Sequence, residues 1–161
     1  MFKSAGLLIL RVAVGSMLMH HGFEKLANIN NFADAFVRPI GLPFPITLSY
    51  LAAFSEIGGS WMLITGLATR LGGLLIAGTM SVAIYHALVT TGFNIYLLEL
   101  LVLYMGGALS ITLIGGGMFS IDYLIYDTRE GGSWYRQSYQ IHKDHKKPWS
   151  GYKVQPDLSG H

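Results

Sequence analysis

The chain has 161 residues, of which 52% are apolar and 12% charged. A soluble domain carries about 25% charged residues, so the composition points to a membrane protein of one domain. With no cysteine, disulfides, thiolate-bound zinc, iron–sulfur clusters and thiol catalysis are excluded, and a net charge of +2 is too small to signal nucleic acid.

A membrane-crossing helix needs ~20 mostly apolar residues. The first window that qualifies is roughly 5–26, "AGLLILRVAVGSMLMHHGFEKL". It follows Lys3 as a signal peptide would, but it is too long for a signal h-region, Arg11 interrupts it, and no cleavage site follows directly. It is therefore read as a span. Next comes the connection "ANINNFADAFVRPIGLPFPI" at 27–46, where Pro39, Gly41, Pro43 and Pro45 forbid one continuous helix. "NFADAFV" suits a short amphipathic turn or two at the interface. The second span is roughly 46–67, the third 71–89 and the fourth 95–114. "ATR" at 68–70 and "TTGFN" at 90–94 are so short that they predict tight hairpins. "GGG" at 115–117 ends the pattern, and the rest of the chain is polar. The expected fold is all-α: an antiparallel bundle of four transmembrane helices over 1–122, with an extended polar tail over 123–161.

Four spans put both termini and the 68–70 turn on one side. Lys3, Arg70, Arg129, Arg136, Lys143, Lys146, Lys147 and Lys153 fall there, against Lys25 and Arg38 on the other. The positive-inside rule then makes both termini cytoplasmic, in a bacterial cytoplasmic or a thylakoid membrane.

Each span holds one group that hydrocarbon disfavours: Arg11, Glu56, His86 and Glu99, with His21 near the end of the first. A charge at the bilayer centre costs ~2.5–3.5 kcal/mol on insertion scales, so these groups are expected to turn inward. Arg11 is expected to pair with Glu56 or Glu99, or to bridge both, with His86 as a further partner. At about 100° per residue, Arg11, Gly15, Leu18, Gly22 and Lys25 share one face, and His21 borders it. His20 points away, and Lys25 lies near the end of the span, where it can snorkel. Glu99, Gly106, Ser110 and Gly117 form a second line in the fourth span. Such a network either fixes helix register or lines a pocket for a quinone, a small solute or a proton path. "MLMHH" contains copper-ligand types, but His20 and His21 project about 100° apart on a helix. No metal site and no catalytic residue is therefore assigned.

The ordered motifs "LLILRVAVGSMLMHHGFEKL", "GLPFPITLSYLAAFSEIGG", "GLATRLGGLLIA" and "YLLELLVLYMGGALSITLIGGGMFSID" carry a resemblance to the DoxX-like family of small four-helix membrane proteins. The match runs over 5–122 through Arg11, Gly15, His21, Gly22, Lys25, Pro43, Pro45, Glu56, Arg70, Glu99, Ser120 and Asp122. It implies a membrane redox setting; one relative in the family is the membrane subunit of a thiosulfate:quinone oxidoreductase. The expected function is thus a subunit associated with a quinone-linked membrane complex. The chain shows no redox centre of its own and no intrinsic cofactor, and a quinone or a lipid is the candidate ligand. The alternative is an accessory structural subunit of a larger respiratory or photosynthetic assembly. For that role the tail supplies Trp134, Tyr135, Tyr139 and Trp149, aromatics of the kind that anchor interfaces. The same tail could instead lie on the membrane surface with its Trp and Tyr at headgroup level. "HKDHKK" at 142–147 is read as a solvated basic turn.

Overall fold

The computed structural model describes residues 2–130, and the side chains of 2–126. Every regular element among them is helical. The first compact unit runs Met1–Ile125, and Trp134, Tyr135, Tyr139, Trp149 and 142–147, to which the sequence assigns docking and a basic turn, lie outside the described residues.

Helix α1 (Phe2–Ala27) covers the whole first window. A short α2 (Ile29–Phe32) continues through a π-helical turn at Ala33–Val37 and a 3-10 turn at Arg38–Ile40. Pro39 sits at the start of the 3-10 turn without an N–H for an α-helical bond, and Pro43 follows soon after its end. Gly41 takes a left-handed φ of 71° and Phe44 one of 52°, which aims the chain into α3 (Pro45–Thr65) with Pro45 at its first turn. The axes before and after this break differ by 109°. Helix α4 (Thr69–Thr90) follows a tight turn at Gly66 (φ 76°), and α5 (Ile95–Ile114) starts at Asn94, whose side chain accepts from the Tyr96 N–H at 3.1 Å. After Gly115, α6 (Ile121–Glu130) is a further helix, where the sequence reading expected only polar tail.

Helices α1, α4 and α5 are each long and apolar enough to cross a membrane, and the bent pair before and through α3 makes a fourth candidate. The helices meet through small residues, as is usual where lipid gives no hydrophobic drive between them. A Cβ on Gly22 would stand 2.7 Å from Ile57 and 3.2 Å from the Ala53 carbonyl, so α1 lies backbone-close to α3. Gly59 and Gly72 bring α3 against α4 in the same way, and Gly73 brings α4 against Ala108 and Thr112 of α5. Gly107 of α5 faces Val14 of α1 and closes the ring. Val14, Leu18, Leu63, Ile76, Met80 and Ile111 fill the centre.

Candidate functional site

The structure divides the intramembrane charges between two ends of the helix set. Arg11 is fully buried, as its helical face requires. Its partner is neither Glu56 nor Glu99. Its Nη2 donates to the Phe119 carbonyl at 2.7 Å, and its charge acts on Asp122, just beyond α5. The 115–120 loop brings the Phe119 carbonyl to the guanidinium, so the expected Arg11–Glu pairing is replaced. Asp122 in turn ties α4 down. It accepts from the Ala68 N–H (2.6 Å), the Thr69 N–H (2.8 Å) and the Thr69 hydroxyl (2.7 Å), while its own N–H donates to Gly66 O at 2.9 Å. A carboxylate suits a helix N-terminus, where unpaired N–H groups carry partial positive charge. Burial pushes the Asp122 carboxyl up, but the bonds from Thr69 and Ala68 and the Arg11 charge outweigh it and hold it below its usual value.

Fourteen positions along α1 from Arg11, about 21 Å at 1.5 Å per residue, Lys25 turns inward. The snorkelling expected of it does not occur. Its ammonium donates to Glu56 Oε1, and it lies 5.1 Å from the centre of the Phe32 ring. The 28–40 segment folds across this end and sets Phe32 against the ammonium. The Lys25 side chain is 19% exposed and Glu56 is fully buried. Among the described residues Glu56 Oε2 has no hydrogen-bond partner, nor does the Ser60 hydroxyl one turn further along α3.

Two further expected residues stand near this pair. His86 Nε2 is 3.1 Å from the Ala35 carbonyl, and its ring packs on Phe36 with centres 5.0 Å apart, which pins the π-helical turn to α4. His21 Nδ1 is 3.2 Å from Glu24 Oε2. His20 also meets Glu24, at 3.1 Å, on the exposed side. Glu99 is corrected: it is exposed on α5 and belongs to neither cluster. The small residues on its line do not engage it, because the Ser110 hydroxyl bonds back to Gly106 O at 2.7 Å.

Lys25, Glu56, His21 and His86 line one end of a cavity of about 800 Å3. The remaining walls are mostly apolar, with Leu18, Leu48, Met80, Leu101 and Tyr104 among them. Cavities of roughly 300–1,000 Å3 with an apolar lining and a few convergent polar groups are the usual shape of small-molecule sites. Lysine carries three donors. One reaches Glu56, leaving two for an acceptor in the cavity. An anion placed there would also face Glu24 and Glu56, so the arrangement favours a neutral headgroup with a carbonyl or ether oxygen. The sequence signal for Lys25 was available, since it shares the face of Arg11; the lid formed by 28–40 was not.

A family model, DoxX, matches residues 6–90, more than half of the chain. An uncharacterized protein from Haemophilus influenzae is 31% identical over 142 residues, which cover 82% of this chain and 91% of the relative. No solved structure matches the chain.

Proposed function

The chain belongs to the DoxX family of membrane proteins, and from that premise we propose that it is a ligand-binding subunit of a quinone-linked redox assembly in the membrane. The observation that carries this reading is the cavity of about 800 Å3 with a buried Lys25–Glu56 pair at one end. The quinone headgroup is neutral, presents carbonyl acceptors to the two remaining Lys25 donors, and lies beside the packed rings of Phe32, Phe36 and His86. Electrons come from or go to a partner subunit that holds the redox centre. The four helical segments cross the bilayer as an antiparallel bundle with both termini on the cytoplasmic side, a placement supported by the distribution of lysine and arginine. The Lys25–Glu56 end then lies at the opposite surface, and the Arg11–Asp122 end at the cytoplasmic surface.

The test is equilibrium binding of decylubiquinone to the purified protein in nanodiscs. Wild type is compared with the double variant Lys25→Met/Glu56→Met, which removes the pair together and strands neither charge. A hydrogen bond from a charged donor is worth about 1.5–3 kcal/mol, or roughly 10–100-fold in affinity. Wild-type binding that the double variant loses by that factor supports the reading. Absence of binding to wild type, or equal binding to both, overturns it.

A further inference from the structure

The cavity has a mouth, and its position says how a ligand enters. On the side between α3 and α4 the lining residues are Leu51, Leu74, Gly78 and Val82. Leu51 is 61% exposed, Leu74 57% and Val82 47%. A Cβ built on Gly78 would meet nothing within 4 Å. This glycine therefore differs from Gly22, Gly59, Gly72 and Gly73, which are small because a neighbouring helix presses on them. Gly58 and Gly106 are open in the same way, but of these three only Gly78 lines the cavity. Its effect is to leave a gap in the α4 wall.

The depth of that gap matters. Gly78 is about 13 Å along α4 from Thr69 at 1.5 Å per residue, close to the middle of a ~30 Å hydrocarbon layer. His86 lies two turns further along the same helix, beside the polar end. The cavity thus runs from a polar end near one membrane surface to an apolar opening near the bilayer centre. A lipid-soluble molecule in that leaflet has the same polarity, with its head at the surface and its chain toward the midplane.

Resting on the reading above, we infer that the cavity is entered sideways from the lipid through the α3–α4 mouth at Gly78, and that its ligand is a neutral headgroup on one or more long hydrocarbon chains which leave through that mouth. The headgroup alone does not use the mouth once bound; the chain does. Gly78 is therefore the residue that sets chain tolerance, and Lys25 the one that sets headgroup affinity. Two sources share this chemistry, an isoprenoid quinone and a neutral glyceride.

The experiment follows from the open space at Gly78. Gly78→Leu and Gly78→Trp start from a Cβ that meets nothing within 4 Å and extend a side chain into the mouth, and Gly78→Ala serves as the folding control. Binding to protein in nanodiscs is measured for three probes: decylubiquinone, the chainless 2,3-dimethoxy-5-methyl-1,4-benzoquinone, and diolein. The expected result is that Gly78→Leu and Gly78→Trp weaken decylubiquinone about 10-fold or more, leave the chainless quinone within about two-fold, and leave the thermal midpoint at or above that of wild type, as for Gly78→Ala. If both quinones weaken equally, or neither weakens, the mouth is not the chain's exit and the inference falls while the quinone reading stands. If diolein alone binds and shows the Gly78 dependence, the mouth stands and the quinone reading falls. If no probe binds wild type, both fall.

Discussion

Replacing Lys25 by methionine strands the Glu56 carboxylate. Glu56 is fully buried, one of its oxygens has no hydrogen-bond partner among the described residues, and Lys25 pairs with the other. Breaking a buried pair by removing one member costs about 3–5 kcal/mol. The partial exposure of Lys25 places this pair toward the lower end, about 3 kcal/mol, or a fall of about 6–12 °C in thermal midpoint for a chain of this length. The reverse change, Glu56→Met, costs less, because the Lys25 side chain it strands is already 19% exposed whereas Glu56 is fully buried. Lys25→Met/Glu56→Met leaves no stranded charge and returns to within about 1 kcal/mol of wild type. The coupling energy is then about 2–3 kcal/mol. Loss of the monodisperse peak on heating in detergent measures all four proteins. Additive losses, with the double variant as unstable as the sum of its singles, would refute the reasoning and leave the contact a surface pairing of no consequence.

Three other outcomes are expected. Gly22→Val forces a branched side chain into Ile57 and the Ala53 carbonyl, and lowers stability by about 1–3 kcal/mol in the same heating assay. Asp122→Ala removes the acceptor for the Ala68 and Thr69 N–H groups and costs about 1–2 kcal/mol. Because the folded Asp122 carboxyl sits below its unfolded value of about 3.9, its contribution is complete above that value and is lost as pH falls through the lower folded one. The gap between wild type and Asp122→Ala in a pH-dependent melting series therefore stays constant from neutral pH down to about 5 and narrows only in stronger acid. Glu99→Gln leaves the thermal midpoint at or above that of wild type, since the side chain is exposed on a candidate span, belongs to neither cluster, and loses a charge that hydrocarbon disfavours.

The helices were legible because a 20-residue apolar run has few other uses. α5 (Ile95–Ile114) coincides with the window read from sequence, and α3 and α4 differ from theirs by one or two residues at the ends. The burial of Arg11 was legible from its helical face. Its partner was not, because a wheel ranks residues on helices and the Phe119 and Asp122 groups arrive from the loop after α5 and the start of α6. Lys25 was misjudged for a related reason: snorkelling presumes open water above the helix end, and the 28–40 segment covers that end. Glu99 fell on a line of small residues, a pattern that marks close helix approach without saying that anything approaches. Here Gly106 has nothing within 4 Å of where a Cβ would be.

The bond from Arg11 to Phe119 spans 108 positions of sequence. At synthesis rates of ~5–20 residues per second, the first helix reaches the translocon about 5–20 s before its acceptor leaves the ribosome. During that interval the guanidinium has no native partner, so α1 must wait at the channel, sit off-centre in the bilayer, or borrow a phosphate. Final seating of the earliest span is thereby set by a segment that emerges after α5, and a nascent chain stalled before position 119 would hold its first helix in an incomplete state.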